Sequence, residues 1–152
     1  MKEENNIHFK SESNEWETPQ DLFDKLNEEF DFTLDPCATK ENAKCKKYYT
    51  KEDNGLMQDW IDEIVFMNPP YGREISKWIE KAHYETMQQE DCFVVCLIPA
   101  RTDTKYWHEF IFPCAEIRFL KGRLKFGGHK NSAPFPSAIV IFGGEVGKVQ
   151  YM

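Results

Sequence analysis

Residues 63–72 read Glu-Ile-Val-Phe-Met-Asn-Pro-Pro-Tyr-Gly. The first five form a short apolar run that is typical of a buried parallel strand. After Gly72, apolar residues recur at positions 75, 78, 79 and 82, which is the spacing of an amphipathic helix. The residues between, Asn68 to Tyr71, therefore belong to a strand-to-helix loop at the carboxyl end of a strand. Open α/β sheets bind their ligands at such loops.

The groups on this loop suit chemistry on an exocyclic amine. Pro69 and Pro70 stiffen the backbone and lack N–H donors, so the loop presents bare carbonyl oxygens. An amine conjugated to an aromatic ring is a poor nucleophile because its lone pair is delocalised. Hydrogen bonds from that amine to Asn68 Oδ1 and to the Pro69 carbonyl would free the lone pair, and Tyr71 could stack on the ring. The alternative interpretation is a proline-rich turn with a packed tyrosine.

Asn68 is an amide, which limits its part in any such reaction. An amide cannot act as a general base near neutral pH. We therefore expect Asn68 to bind and orient the amine while the proton passes to water. Because aspartate offers an acceptor of the same shape, Asn68→Asp is expected to keep measurable activity.

The composition suits one globular domain. The chain has 152 residues, of which 41% are hydrophobic. We predict a mobile arm over residues 1–14 and a single domain over residues 15–152. The sequence contains no run of 18 apolar residues and no signal-peptide pattern, and its five cysteines are irregularly spaced. These features predict a soluble intracellular protein in a reducing compartment, with no membrane partner.

Charge is distributed unevenly along the chain. Residues 117–130 contain five basic residues and no acidic ones, so this segment carries +5 and the rest carries −12 of a total of −7. Such asymmetry is compatible with one basic contact face on an acidic body. A solvated hairpin is an equally good explanation of the same charges.

Further elements are predicted on both sides of the central loop. Thr18 as N-cap and Pro19 at the first helical position predict a helix start, and residues 31–38 predict a strand. Residues 39–62 are irregular. Three more strands, at 92–99, 116–120 and 138–142, and a helix after 101–104 are expected, with residues 121–137 forming a hairpin between the last two strands.

Five segments together carry a resemblance to a known family. In chain order they are Trp-x-Thr-Pro at 16–19, Leu-Asp-Pro-Cys-Ala at 34–38, Asn-Pro-Pro-Tyr-Gly at 68–72, Ile-Pro-Ala-Arg-Thr-Asp-Thr at 98–104 and Gly-Arg-Leu-Lys-Phe at 122–126. Each outer segment alone is weak, but the ordered set resembles the DNA N6-adenine methyltransferases of bacteriophages, the phage Dam family. The resemblance implies an α/β fold, a trimmed Rossmann-like class I S-adenosylmethionine methyltransferase sheet with a C-terminal antiparallel hairpin. It also implies the cytoplasm of a bacterium or of a phage-infected host cell.

The resemblance implies roles for residues that would bind S-adenosylmethionine. Asn68, Pro69, Pro70 and Tyr71 match the catalytic motif. The residues expected to hold the cofactor are Trp16, Thr18 and Pro19 over its methionine end, and Asp35, Pro36 and Cys37 at the end of the first strand. The glycine-rich turn of related proteins is replaced by residues 38–43. An acid is wanted for the ribose, and Asp53 and Asp59 are the candidates.

The resemblance further implies double-stranded DNA as substrate, with the target adenine flipped out of the stack. The residues expected to bind phosphates are Arg101, Lys121, Arg123 and Lys125. Phe126 and Tyr71 could clamp the flipped base from two sides, although a core position for Phe126 is at least as good an interpretation. A homodimer is considered because so small a chain leaves little surface for reading a recognition site.

Three alternatives stay open from the sequence. The chain could methylate RNA or a protein glutamine amide, or it could be a non-catalytic nucleotide- or DNA-binding module.

A zinc site built from Cys37, Cys45 and a histidine is disfavoured because the seven-residue gap does not match usual zinc spacings, and no metal is expected.

Overall fold

The computed structural model describes residues 16–152, so the arm predicted over residues 1–14 lies outside the described residues. Seven strands form one sheet. They are β1 (Leu34–Asp35), β2 (Lys47–Tyr48), β3 (Ile64–Met67), β4 (Phe93–Pro99), β5 (Ala115–Phe119), β6 (Ser137–Phe142) and β7 (Val149–Tyr151). The helices are α1 (Gln20–Phe30), α2 (Ile75–Met87) and α3 (Phe112–Cys114), the last continuing a π-helical turn at Trp107–Ile111. A 3-10 turn lies at Gly55–Met57.

The sheet has the strand order β2-β1-β3-β4-β6-β5-β7. Neighbouring strands from β2 to β4 run parallel, with Val65 opposite both Leu34 and Val94. β6 lies between β4 and β5 and is antiparallel to both. β7 pairs with β5 in parallel at the far edge. Because β1 and β3 are adjacent and parallel, the loops that follow them emerge at the same edge of the sheet.

The core lies around the central strands. Every residue of β6 is buried, and β4 is buried from its second residue onward. This explains the near-continuous apolar runs in the sequence, because central strands covered on both faces need apolar side chains on both sides. α1 buries Phe23 and Leu26, one helical turn apart, and the Phe23 ring meets Phe66 of β3 edge-on at 5.1 Å between centroids.

The mixed α/β class predicted from the sequence is confirmed, and the central elements begin and end within a few residues of their predicted bounds. Two short strands, β2 and β7, were not predicted because neither carries an apolar run. α1 begins at Gln20, and no side chain caps its first turn. The N-cap predicted at Thr18 is therefore wrong, because the Thr18 hydroxyl accepts a hydrogen bond from Asn68 Nδ2 at 3.0 Å and caps no backbone N–H of the helix.

Candidate active site

A cavity of about 740 Å³ opens where β1 and β3 end. Its wall is assembled from segments that are far apart in sequence. These are Trp16 to Thr18 before α1, parts of 35–44 after β1, parts of 50–56 around the 3-10 turn, Asn68 to Pro70 after β3, Glu74 and Trp78 near the start of α2, and residues 127–129 before β6. The cavity therefore lies at the carboxyl ends of parallel strands, as the sequence predicted for the Asn68 loop.

The Asn68 side chain is held by its amino group. Asn68 Nδ2 donates hydrogen bonds to the Trp16 carbonyl oxygen and to Thr18 Oγ1, the latter at 3.0 Å. Its other end, Oδ1, is buried and has no hydrogen-bond partner among the described residues. A buried polar atom without a partner costs roughly 1–3 kcal/mol and is uncommon in folded proteins. Asn68 thus offers one acceptor that a donor from outside the chain could satisfy.

The backbone of the same loop is anchored to the end of β1. Cys37 Sγ donates to the Asn68 carbonyl oxygen at 3.3 Å. Burial raises the pKa of the Cys37 thiol well above its ordinary value, so Cys37 stays protonated and can donate. Cys37 therefore acts here as a neutral donor that links the segment after β1 to the Asn68 loop after β3.

Asp35 is the buried carboxyl at the end of β1. Its side chain accepts a hydrogen bond from the Lys44 backbone N–H at 3.1 Å, and only 5% of the residue is exposed. Burial raises the pKa of Asp35 to about 6, against the smaller lowering effects of backbone hydrogen bonds from Lys44 and Cys37. The carboxyl is consequently ionised at neutral pH and titrates just below it.

The close backbone contact of this cavity is made by Gly55. A Cβ added at Gly55 would lie 2.1 Å from the Pro36 carbonyl oxygen and 3.1 Å from Trp78. The Trp60 indole N–H donates to the Gly55 carbonyl at 3.1 Å, which fixes this turn against the core. The segment after β1, residues 36–44, contains no glycine. The close backbone approach is made instead by Gly55, on the segment that faces Pro36. Gly55 and Lys44 were missed from sequence because neither belongs to one of the five matched segments.

Most residues predicted to bind the cofactor lie on the cavity wall. Those present there are Trp16, Thr18, Asp35, Pro36 and Cys37, together with Asn68, Pro69 and Pro70 of the loop.

Three predicted cofactor residues are not among those lining the cavity: Pro19, Asp53 and Asp59. Asp53 Oδ2 instead accepts from the Thr50 backbone N–H at 2.9 Å and from the Thr50 hydroxyl at 3.0 Å. Asp59 is exposed on the segment that leads to β3. The acids that do line the cavity are Glu17, Asp35 and Glu74. The positions of these acids along the sequence could not show which of them line the cavity.

Tyr71 lies in the core rather than at the cavity surface. Only 4% of it is exposed, and its hydroxyl donates to the Leu97 carbonyl at 3.1 Å. Its ring meets Phe126 and Phe135 edge-on, with centroids 6.3 and 5.7 Å away. Phe126 is 1% exposed. The two-sided clamp of Tyr71 and Phe126 expected from sequence is therefore not formed in this structure, because both rings pack into the core.

The predicted phosphate contacts lie on the surface. Lys121, Arg123 and Lys125 are exposed on the segment between β5 and β6. Arg101 is also exposed, with its guanidinium 5.8 Å from the centre of the Phe135 ring. Arg118, counted in the same basic segment, is instead engaged by Glu29 at 2.7 Å and Glu116 at 3.0 Å.

Comparison with known proteins decides the family. A profile described as DNA N-6-adenine-methyltransferase (Dam) matches residues 6–143, most of the chain. The chain belongs to the Dam family. This confirms the family resemblance found in the sequence.

Two relatives of this Dam-family chain differ in how much they cover. The DNA N-6-adenine-methyltransferase of Escherichia phage T1 is 28% identical over 138 residues, which cover 88% of this chain and 56% of the phage protein. The protein YfdM of Escherichia coli strain K12, described as a candidate methyltransferase, is 41% identical over 70 residues, covering 41% of this chain and 77% of YfdM. The chain thus spans little more than half the length of the phage T1 enzyme.

The described residues form neither a metal centre nor a membrane-spanning helix. Residues 16–152 contain no group of three or more histidine, cysteine or acidic side chains arranged to hold a metal ion. None of the helices described is both long and apolar enough to cross a membrane.

Proposed function

We propose that the chain transfers a methyl group from S-adenosylmethionine to N6 of adenine in double-stranded DNA. The observation that carries this proposal is Asn68 Oδ1, a buried acceptor with no partner among the described residues, on the loop that borders the cavity. An exocyclic amine would donate a hydrogen bond to this atom and remove the free-energy cost of leaving it unpaired. Membership of the Dam family selects adenine as the base that carries the amine.

The cavity fits a ligand of the size of S-adenosylmethionine. Its volume of about 740 Å³ lies within the range of roughly 300–1,000 Å³ that is usual for small-molecule sites. Asp35, ionised at neutral pH, would accept hydrogen bonds from the cofactor. Trp16 and Thr18 border the cavity beside Asn68 and would lie over the end that carries the methyl group. When bound, S-adenosylmethionine supplies an electrophilic methyl group.

The ribose of the cofactor needs a polar partner that differs from the one expected. Asp53 would act there through Thr50, whose backbone N–H and hydroxyl it holds and which borders the cavity. Asn54, the residue after Asp53, lines the cavity as Thr50 does and offers a side-chain amide. We propose Thr50 and Asn54 as the groups nearest the ribose, with Asp53 ordering the turn.

The chain's own residues bind and orient the amine. Asn68 Oδ1 and the Pro69 carbonyl would accept its two hydrogens, which turns the nitrogen lone pair toward the cavity. Because Asn68 cannot take up a proton near neutral pH, the proton leaves to water after the methyl group has moved. Burial holds the pKa of the Tyr71 phenol well above its ordinary value, so Tyr71 does not serve as the base either.

The target adenine must leave the base stack to reach Asn68, at a cost of a few kcal/mol. We propose that phosphate contacts from Lys121, Arg123, Lys125 and Arg101 provide the DNA affinity that offsets this cost. Stacking on Tyr71 or Phe126 would require these rings to leave the core. Pro70, which is exposed at the cavity, is the loop residue already available to touch the base.

For the architecture, we propose a trimmed Rossmann-like class I methyltransferase sheet closed by a C-terminal antiparallel hairpin, in a single domain over residues 15–152. The parallel neighbours β1, β3 and β4 and the antiparallel pairing of β5 with β6 support it. A homodimer and the cytoplasm of a bacterium or phage-infected cell remain predictions.

The proposal is tested by following a labelled methyl group. The protein is incubated with methyl-labelled S-adenosylmethionine and, in separate arms, duplex DNA, RNA of the same sequence, or a glutamine-containing peptide. Digestion of the DNA to nucleosides should give N6-methyldeoxyadenosine as the labelled product. Label on RNA or on peptide alone would overturn the proposal in favour of another amine substrate. Cofactor binding without transfer to any acceptor would indicate a non-catalytic module.

A further inference from the structure

We infer that Trp16, Glu17 and Thr18, here called the strap, set which end of the Asn68 amide faces the substrate. In this role Thr18 and the backbone of Trp16 are positioning groups that act through Asn68, in addition to any contact with the cofactor. The inference rests on the proposed methyl transfer, since it concerns how the acceptor for the adenine amine is oriented.

An asparagine amide has two ends of nearly the same shape and opposite hydrogen-bonding character. The Trp16 carbonyl oxygen can only accept a hydrogen bond, so the end of Asn68 that faces it must be the amino group. Thr18 Oγ1, 3.0 Å away, accepts from the same nitrogen. A flipped amide would place Oδ1 against the Trp16 carbonyl oxygen, with two acceptors facing each other and no hydrogen between them. The strap therefore directs Oδ1 away from itself.

The strap can do this only if it is itself held, and contacts with four residues hold it. The Glu17 carbonyl accepts a hydrogen bond from the Gly127 backbone N–H at 3.0 Å, and the two residues form an antiparallel bridge. The Trp16 ring stacks on His129 at 4.2 Å with an angle of 8° between their planes. The edges of Phe126 and Phe135 meet the same tryptophan at 5.4 and 5.1 Å.

The remaining polar groups of Asn68 leave one acceptor for a substrate. The main-chain carbonyl oxygen of Asn68 accepts a hydrogen bond from Cys37 Sγ at 3.3 Å. The amino group is occupied by the strap. Of the two polar atoms of the Asn68 side chain, Oδ1 is the one that lacks a partner among the described residues. The Trp16 carbonyl sets the direction of the amide, and the Thr18 hydroxyl holds the amino group in place. Removing the Thr18 hydroxyl takes away one of the two hydrogen bonds to that amino group, so the amide is held less firmly and the rate of methyl transfer falls.

The test compares Thr18→Val, which keeps the shape and removes the acceptor, with Thr18→Ser, which keeps the acceptor. Methyl transfer to duplex DNA is measured in a single turnover with labelled S-adenosylmethionine and DNA both saturating. We expect about a tenfold lower rate constant for Thr18→Val, the effect of losing one buried hydrogen bond, and a rate within about threefold of wild type for Thr18→Ser. Thr86→Val, which alters a hydroxyl bonded within α2, is the matched control.

A double-mutant cycle separates positioning from other roles, because Thr18 also borders the cavity. If Thr18 acts through Asn68, Thr18→Val has less than about a twofold effect in the Asn68→Ala background. Equal slowing by Thr18→Val in both backgrounds would overturn the inference and assign Thr18 to the cofactor or to packing. Cofactor dissociation constants are measured for every variant by calorimetry so that the cofactor is saturating in each comparison, and a change in cofactor affinity therefore does not enter the rate constants that the cycle compares.

The outcomes distinguish this inference from the proposed function. A wild-type protein that methylates no adenine refutes the proposed function, whatever the variants do. An active wild type with an equally fast Thr18→Val refutes the role of the strap alone. If thermal unfolding shows that Thr18→Val does not fold, Thr18→Ala takes its place in both comparisons. Equal slowing of Thr18→Ala and Thr18→Ser would then refute the inference.

Discussion

The proposed chemistry depends on one atom of Asn68, its side-chain oxygen Oδ1. The main-chain carbonyl oxygen and the side-chain amino group of Asn68 are both hydrogen-bonded within the protein. Asn68→Ala removes Oδ1 and leaves the adenine amine planar and unoriented. Losing a preorganised polar group of this kind is expected to lower the rate of methyl transfer by about 10²–10³-fold. The measurement is single-turnover transfer of labelled methyl to duplex DNA. Cofactor and DNA affinities should change little, and transfer at the wild-type rate would remove Asn68 from the mechanism.

Aspartate at the same position is a sharper test, and the structure changes what we expect of it. From the sequence, Asn68→Asp was predicted to keep measurable activity. In the structure, one carboxylate oxygen would face the Trp16 carbonyl oxygen where the amino group now lies, with no hydrogen between the two acceptors. We now expect a loss at neutral pH at least as large as that of Asn68→Ala. Protonation would restore a donor toward Trp16, so the transfer rate of Asn68→Asp at saturating cofactor should rise as the pH falls.

The wild-type protein is the control for that pH profile, since its rate at saturating cofactor should show no such rise. Wild-type activity of Asn68→Asp at pH 8 would show that the strap tolerates a carboxylate. It would also weaken the inferred role of Thr18.

Asp35 gives the cofactor site a predicted pH dependence. Burial raises its pKa from an ordinary 3.8 to about 6, so ionisation disfavours folding. Stability from this group is fully present below pH 3.8 and is lost as the pH rises to about 6. If the carboxylate binds the cofactor, affinity should change in the opposite direction. It should weaken by about tenfold per pH unit below pH 6 and level off above pH 7.

Calorimetric titration with S-adenosylmethionine between pH 5 and 8 measures this dependence. Asp35→Asn keeps an acceptor for the Lys44 backbone N–H and cannot ionise, so its affinity should be lower at neutral pH and flat across that window. The same pH dependence in Asp35→Asn as in wild type would assign the titration to another group.

At the scale of elements, the 3-10 turn at Gly55–Met57 brings one wall of the cavity close to β1. Gly55→Ala would place a methyl group 2.1 Å from the Pro36 carbonyl oxygen, a backbone atom that cannot move aside cheaply. We expect overpacking to lower the free energy of unfolding by about 1–3 kcal/mol and cofactor affinity to fall at least about tenfold. Urea unfolding and calorimetry measure the two effects.

Gly147→Ala is the control for this variant. Its added Cβ would meet nothing within 4 Å, but its φ of +81° is left-handed, so strain alone should cost about 1–2 kcal/mol. Cofactor affinity should stay unchanged in Gly147→Ala. Unchanged affinity in Gly55→Ala as well would mean that this turn does not shape the cofactor site.

A partly buried ion pair on α2 explains how the same turn is held. Lys81 Nζ donates to Glu85 at 2.6 Å and to the Gln58 carbonyl at 2.7 Å, and it lies 5.3 Å from the centre of the Trp60 ring. Trp60 in turn donates to the Gly55 carbonyl. The helix that follows the Asn68 loop therefore also fixes the opposite wall of the cavity.

At the scale of the whole molecule, the exposed positive charge of residues 121–130 stands out on a chain with a net charge of −7. With Arg118 engaged by Glu29 and Glu116, the segment from 121 to 130 retains four cationic residues, and no acid in the described part of the chain forms an ion pair with them. If these side chains bind phosphates, Arg123→Ala should weaken DNA binding on all sequences. It should also reduce the slope of log K against log salt concentration by about one.

Fluorescence anisotropy at several salt concentrations measures that slope. Lys25→Ala, which removes an exposed cation on α1, provides the matched control and should leave the slope unchanged. Equal slopes for Arg123→Ala and wild type would leave this segment a role in solubility alone. Cofactor affinity should be the same in all three proteins.

The sequence by itself determined the elements that depend on local pattern. β3, β4 and β6 follow from apolar runs, and α2 follows from apolar residues at helical spacing after Gly72. The loop with Asn68 and two prolines could be placed at the end of a strand because the strand and the helix flank it directly. Most of the residues predicted to bind the cofactor lie on the cavity wall for the same reason, since they belong to segments that adjoin predicted elements.

Only the tertiary structure decided which end of Asn68 is free, because its partners Trp16 and Thr18 lie 52 and 50 positions earlier in the chain. It also decided that Tyr71 packs in the core and that Asp53 is used within its own turn. Local sequence fixes backbone periodicity, whereas the exposure and partners of a polar side chain depend on which distant segments pack beside it.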